Sequence, residues 1–429
     1  MLIAFVIVLL FVLLLIRVPV GFAIGIAGAV GLYLYGGVPV LLGVLEVTPI
    51  SSVSAYTLAP IPLFILMAQF VLVSGIVRDV FEAARVWVGR TPAGLGIATT
   101  LAGSLFAAIS GSSTAAAGTL SSTSIPEMTK HGYDVKLANG LVAVVGTLAA
   151  MIPPSIMLVF YAVLAEQSVG QVLIAGFLPG ALITITLVLT TLLLVWRNPS
   201  LAPATQGYSF REKVGTLGSV GPIILLFALV IGTIYLGVAT PTEAAALGAF
   251  GAMIIALLSR MLSWQNTREA LVEATTTSVM ILMIILGAFV FGNFLTATQV
   301  TQNLVTFVGG LPIPPLAIFA IIALIYIILG FFMDQIAILA LTIPVVLPVI
   351  ESLGFDPIWF GIMVVLLVEI GLVSPPLGLN VFIVARTAGR PTEEVFRGVV
   401  PFVIALLVLV VLFTLFPELV LWVPNRMSQ

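Results

Sequence analysis

Apolar runs, most of about 17–25 residues, recur along this whole chain, and that is the length a helix needs to cross a bilayer. They fall at roughly 1–16, 18–36, 60–76, 93–110, 113–129, 137–164, 174–196, 220–236, 243–259, 275–297, 316–331, 335–350, 358–385 and 399–416. Barrel strands would instead alternate apolar and polar residues in shorter stretches. Only 7% of the 429 residues are charged and the mean hydropathy is +1.30, so the fold class is an all-α polytopic membrane protein in a lipid bilayer. The first run lacks a basic lead and a small-residue cleavage site, so it reads as a retained helix.

The same composition removes several functions. A net charge of −2 spread over few charges offers no basic face, so no nucleic acid is expected. There is no cysteine for thiol or disulfide chemistry, and the single histidine, His131, argues against a zinc or haem centre. No GxxxxGKS/T phosphate loop occurs, and no Ser/His/Asp or paired-carboxylate set can be built in the core, so no enzyme is expected. Transport, if that is the function, must then draw on an ion gradient or on a partner.

Lysines and arginines fix the orientation. If 93–129 and 316–350 each leave and return on one side, fourteen of the fifteen basic residues share a face, and only Arg426 lies opposite. That face is cytoplasmic. The polar, glycine-broken stretch SGSSTAAAGTLSSTSIPEM (110–128) would be a poor lipid-facing helix, which favours a re-entrant hairpin enclosed by protein or water.

A gapless shift of 222 residues lays one half of the chain on the other. It pairs Pro92 with Pro314, Pro126 with Pro348, Gly132 with Gly354, Asp134 with Asp356, and Pro153-Pro154 with Pro375-Pro376. The matches are mostly prolines and glycines, which punctuate structure. Because Lys136 falls inside and its partner Ile358 outside, the expected arrangement is an inverted-topology repeat with two re-entrant helical hairpins and two proline-broken helices. Residues 1–59 would be N-terminal scaffold helices and 60–196 the first repeat. A cytoplasmic linker with connecting helices would fill 197–274, and the second repeat would span 282–418. Each repeat reads as helix, amphipathic arm, hairpin, broken helix, helix. The arms, 78–90 and 300–312, fit interfacial helices or plain connections.

Four backbone breaks are candidate sites: the tips Ser110-Gly111-Ser112 and Phe332-Met333-Asp334, and the interruptions GTLAAMIPPS (146–155) and EIGLVSPPLGLN (369–380). Proline removes a donor and frees the carbonyls before it. Such carbonyls, with Ser and Thr hydroxyls, are hard oxygen ligands for an alkali cation. The helix that restarts after the break offers free N–H groups to a carboxylate. Ser112 and Asp334 pair under the shift and are good N-caps, the first role expected of them, and ligation by neighbouring carbonyls is compatible with it. Glu369 is the other acid at membrane depth; ligation, proton relay and a buried neutral carboxyl all remain open for it. Glu243 is read as closing a capping box with Thr240. Asn139, Asn293 and Asn380 are packing or substrate contacts.

The motifs RVPVGFAIG, SGSSTAAAGTLSSTSIPEM, KHGYD, GTLAAMIPPSIMLVFYAV, PTEAAALGA, FFMDQIAILALTIPVVLPV, GFDPIWFGI and GLVSPPLGLNVFI together cover nearly the whole chain. In them the chain resembles the large membrane subunit of tripartite ATP-independent periplasmic (TRAP) transporters. The resemblance implies a sodium-coupled, elevator-type importer of a small organic acid, such as a C4-dicarboxylate or sialic acid, in the bacterial inner membrane. It implies two partners, a separate four-helix small membrane subunit and a periplasmic substrate-binding protein. Carried over, one sodium (Na+) site would use Ser110, Gly111 and Ser112 with Ala149, Ile152 and Pro153. The second would use Met333 and Asp334 with Gly371, Ser374 and Pro375. Substrate would lie near Ser113, Thr114, Ser155 and Asn380. The competing readings are a standalone sodium- or proton-coupled dicarboxylate or citrate carrier, and a channel or membrane scaffold.

Overall fold

The computed structural model describes residues 1–89, 91–203 and 208–427, and all of its extended elements are helices. Arg90, counted above among the cytoplasmic charges, and part of the expected 197–213 linker lie outside the described residues. The chain opens with α1 (Leu2–Leu15) and α2 (Val20–Val53). Residues 60–197 contribute α3 (Pro60–Ser74), α4 (Ile76–Val88), α5 (Gly94–Ser110), α6 (Ser113–Lys130), α7 (Val135–Val145), α8 (Leu148–Met151), α9 (Ile156–Leu164), α10 (Val169–Ala175) and α11 (Phe177–Arg197). Two connecting helices follow, α12 (Phe210–Tyr235) and α13 (Pro241–Leu258). The remainder is α14 (Trp264–Ala297), α15 (Val300–Gly309), α16 (Pro315–Phe332), α17 (Gln335–Ser352), α18 (Pro357–Leu372), α19 (Leu379–Ala388), α20 (Thr392–Leu415) and α21 (Glu418–Met427). Among the described residues, nine helices are long and apolar enough to span a membrane, and a bent pair, 135–151 with 156–164, adds a tenth.

Helix limits recur at the 222-residue shift. Moved by that amount, α6 covers 335–352, the limits of α17, and α7 begins at 357, where α18 begins. The caps recur too: Asp134 Oδ1 accepts from the Leu137 amide at 3.0 Å, and Asp356 Oδ1 from the Trp359 amide at 3.0 Å. Each satisfies an N–H that the first helical turn leaves without a partner. The capping box expected at the start of α13 is present, with Glu243 Oε2 accepting from the Thr240 amide at 2.8 Å. A second box, not anticipated, closes the start of α12, where the Ser209 hydroxyl and amide donate to Glu212 Oε2 at 2.6 and 2.7 Å.

Two elements were not foreseen. Beyond Gly36 and Gly37, which break α2 with non-helical geometry, the helix resumes and runs to Val53. Pro39 and Pro49 make that stretch read as a loop in sequence. The C-terminal α21 is short and amphipathic, so it carries no spanning-length signal.

The centre of the molecule is the broken helices. Every residue of α18 from Trp359 to Leu372 is buried, as is every residue of α7 from Leu137 to Val145. Helices apolar on all faces suit such a position. Glycines let backbones meet there: a methyl on Gly140 of α7 would lie 2.2 Å from the Gly398 carbonyl carbon of α20. Around this core, α2 packs lengthwise on α14 through Gly21, Gly28 and Gly287, and a methyl on Gly28 would lie 2.7 Å from Phe291 Cα. Close small-residue contact is how helices associate when apolar surface gains nothing by leaving lipid. The arm α4 is a helix tied to both neighbours: Arg85 pairs with Glu127 of α6 at 3.9 Å, and Trp87 Nε1 donates to the Lys213 carbonyl of α12 at 3.1 Å.

Candidate functional site

The first hairpin turns at Gly111, whose φ of +57° is the left-handed conformation that glycine adopts without steric cost. The turn ends as Ser112 caps α6, its Oγ accepting from the Ala115 amide at 3.4 Å. Thr114 Oγ1 lies 3.3 Å from Ser112 Oγ. This tip is seated on the first broken helix. A methyl on Gly111 would lie 2.9 Å from the Ile156 side chain, just past the Pro153-Pro154 break. Ser110, Gly111, Ala149 and Pro153 are buried, and Ser112 and Ile152 are partly buried. The structure therefore brings the hairpin tip to the break, which sequence spacing alone does not require.

Within the break, Ser155 Oγ donates to the Ala150 carbonyl at 2.6 Å and accepts from the Leu158 amide at 3.3 Å. It bridges the gap and caps α9, so its hydroxyl proton is already committed inside the chain.

The second half has the same backbone plan. Asp334 caps α17, with Oδ1 accepting from the Ile336 amide at 2.8 Å. The last turn of α16 lies against the last turn of α18, where a methyl on Gly371 would sit 2.6 Å from Gly330 Cα. Past the break, Gly378 has a φ of +60° and lets α19 begin beside the Ser374 carbonyl. Ser374 Oγ donates back to the Ile370 carbonyl at 2.6 Å. Met333 is partly buried, and Asp334 and Pro375 are exposed.

The halves meet through two side chains. Ser113, at the start of α6, donates its hydroxyl proton to Glu369 Oε1 of α18, and both residues are buried. Glu369 is thus drawn to the first hairpin's tip although it lies on the second broken helix. Among the described residues its Oε2 has no partner, nor do Ser110 Oγ or either amide atom of the fully buried Asn380. Gly118 of α6 faces Ile383 of α19, so Asn380, one turn earlier on α19, lies alongside the start of α6. Each buried polar atom without a partner costs about 1–3 kcal/mol. They lie at both breaks, Ser110 at the first tip and Glu369 and Asn380 on either side of the second, and are a preformed demand for polar ligands.

These donors suit a hard cation and an organic anion. The first tip and break present carbonyls, hydroxyls and one carboxylate, and among the described residues no three His, Cys, Asp or Glu side chains cluster as a soft-metal site would require. Of the residues expected at the substrate position, Ser113 and Asn380 are placed to contribute. Thr114 is adjacent, and Ser155 lies within the first break, where it caps α9. Asn293 lies apart on α14, where Nδ2 donates to the Phe289 carbonyl at 2.9 Å. Sequence left the role of Glu369 open, because a contact spanning 256 positions leaves no local trace.

Comparison with known proteins shows the family. Residues 7–419 match the family described as tripartite ATP-independent periplasmic transporter, DctM component. The chain belongs to this family. It is 34% identical to the C4-dicarboxylate TRAP transporter large permease protein DctM of Pseudomonas aeruginosa, over 95% of each chain. It is 30% identical to the sialic acid TRAP transporter large permease protein SiaM of Vibrio cholerae, over 88% of each. In fold it is similar to the YdaH transporter of Alcanivorax borkumensis, with a TM-score of 0.65 at 14% identity, covering 88% of this chain and 90% of that one. This large TRAP permease is therefore a multi-pass membrane protein of an organic-acid transport family, and that family is one of permeases, not of enzymes.

Proposed function

We propose that this permease imports a small organic acid across the bacterial inner membrane, driven by sodium and supplied by a periplasmic substrate-binding protein. The buried polar cluster of Ser110, Ser113, Glu369 and Asn380 carries the reading, because it pairs hard oxygen donors for a cation with amide and hydroxyl groups for a carboxylate. The similar large permeases are named for C4-dicarboxylates and for sialic acid, both of which bear carboxylates. One sodium ion is assigned to the tip Ser110-Gly111-Ser112 with Ala149, Ile152 and Pro153. A second is assigned to Met333 and Asp334 with Gly371, Ser374 and Pro375. The acid lies between the tips against Ser113, Thr114 and Asn380, and the two hairpins travel with it against the scaffold of α2 and α14. A small four-helix membrane subunit completes that scaffold.

The test is uptake into proteoliposomes holding the chain and its small subunit, with sodium and binding protein each present or omitted. We expect accumulation only when both are supplied. Uptake indifferent to sodium would overturn the ion assignment, and uptake without the binding protein would identify a standalone carrier.

A further inference from the structure

Two cavities away from the hairpin tips are related by the shift that relates the helices. One, of about 480 Å³ between α6, α7 and α19, is lined by Ser121, Ser122, Ile125, Pro126 and Thr129 of α6. The other, of about 570 Å³ between α9, α14 and α17, is lined by the equivalents of those five residues, Ile343, Pro344, Leu347, Pro348 and Glu351. Their chemistry is opposite. The α17 cavity carries two carboxylates, Glu166 and Glu351, and its lining holds no basic residue. The α6 cavity carries Arg390, and its lining holds no acid.

Two further observations point to a ligand in the α6 cavity. Asn139 forms part of its wall, is fully buried, and has no hydrogen-bond partner for either amide atom. Arg390 is exposed and forms no ion pair among the described residues. The hydroxyls of Ser121, Ser122 and Thr129 already donate to carbonyls of their own helix, at 2.6, 2.8 and 2.9 Å. The protons left to offer are those of the Arg390 guanidinium, the Asn139 amide and the Thr387 hydroxyl. A planar fork of N–H donors beside an amide matches a carboxylate.

We propose that this cavity is a second carboxylate station, on the cytoplasmic side, held by Arg390 and Asn139 and distinct from the site at the hairpin tips. Ser121 lies eight residues along α6 from Ser113, about 12 Å at the helical rise. An acid leaving the tips would be received there before reaching the cytoplasm. This rests on the import reading for its direction and substrate class.

The chain has no cysteine, so Ala388→Cys, on the cavity wall, places the sole thiol there and removes no polar group. The full chain in phosphatidylcholine nanodiscs is labelled with an anionic methanethiosulfonate reagent, which forms a mixed disulfide with the thiol and releases methanesulfinate, with and without succinate. By mass action, succinate at ten times its dissociation constant should slow labelling about tenfold. Adding Arg390→Gln or Asn139→Ala should abolish that protection while the protein still elutes as a folded species. Two substitutions are used so that misfolding of one leaves the other informative. A parallel reporter, Leu379→Cys near the tips, monitors the principal site in the presence of sodium. Protection at the Leu379 reporter with none at the Ala388 reporter overturns the station and leaves the import reading intact. Protection at neither overturns both. Slowing by phosphatidylglycerol nanodiscs, with no effect of succinate, makes this a lipid headgroup site and also overturns the proposal.

Discussion

The two hairpin tips occupy equivalent places in the chain and opposite surroundings in the fold. Around the first, Gly111, Pro153 and Pro154 are buried; around the second, Asp334, Pro375 and Pro376 are exposed. Both Pro-Pro bonds are cis, and both tips are capped by the residue that opens the second limb. The backbone plan is therefore shared and the packing is not. Scaffold helix α3 packs on α5 and α9, which flank the first tip and break, whereas its counterpart α14 packs on α17. Side chains differ in the same sense. Ser112 and Thr147 of the first half become Asp334 and Glu369 in the second, so both acids at membrane depth belong to one repeat while the second, Glu369, serves the other's tip. A repeat can thus keep its geometry while the halves divide the chemistry and the burial between them.

The contrast breaks most severely at the contact between limb and broken helix. The first repeat has Ala108 and Ala149 where the second has Gly330 and Gly371. Making the second half like the first with Gly371→Ala should misfold it, because the new methyl would lie 2.6 Å from Gly330 Cα. Overpacking of this kind costs about 1–3 kcal/mol or more, read as lost expression and a lower Tm in detergent. The reverse change, Ala149→Gly, should cost only about 1 kcal/mol. Equal effects in the two halves would mean their contacts are interchangeable.

Glu369→Gln comes next. It keeps the shape and an oxygen that can accept from Ser113 but removes the group that can ionise, so uptake should fall about tenfold, the equivalent of about 1.4 kcal/mol, with the fold retained. Thr147→Val, at the equivalent position of the first half, should change uptake far less. A normal rate for the Gln variant would remove Glu369 from the site.

A subtler pair separates capping from ion binding. Asn caps a helix about as well as Asp, so Asp334→Asn should leave Tm unchanged and raise the sodium concentration needed for half-maximal uptake. Ser112→Ala should lose about 1 kcal/mol of stability as well as sodium-dependent uptake, because its hydroxyl is the cap. If sodium dependence is untouched in the Asn variant, Asp334 is a cap and nothing more. The smallest effect is expected at the arm: Trp87→Phe deletes an exposed hydrogen bond to Lys213, about 0.5–1 kcal/mol, and should alter uptake little.

Much of this molecule is legible before any coordinates. Run length gives the spanning helices, and the recurrence of Pro126 at Pro348 and of Asp134 at Asp356 marks where helices stop and start. These are local signals, since a proline or a cap acts within a turn of itself. The helix from Val38 to Val53 was hidden by its two prolines, and the cavity at Arg390 by lying at a helix end where an arginine reads as a cytoplasmic anchor. Glu243 shows the opposite case, since its capping box is written entirely within four consecutive residues.

By itself, then, the sequence determined that this chain spans a membrane, repeats at 222 residues and breaks its helices at four paired points, because each follows from covalent spacing and the missing N–H of proline. Only the tertiary structure decided that Glu369 turns to Ser113, that Asn139 and Asn380 are buried without partners, and that one break is covered while the other is open. Those outcomes depend on which helices far apart in the chain lie side by side, and burial is a property of that packing.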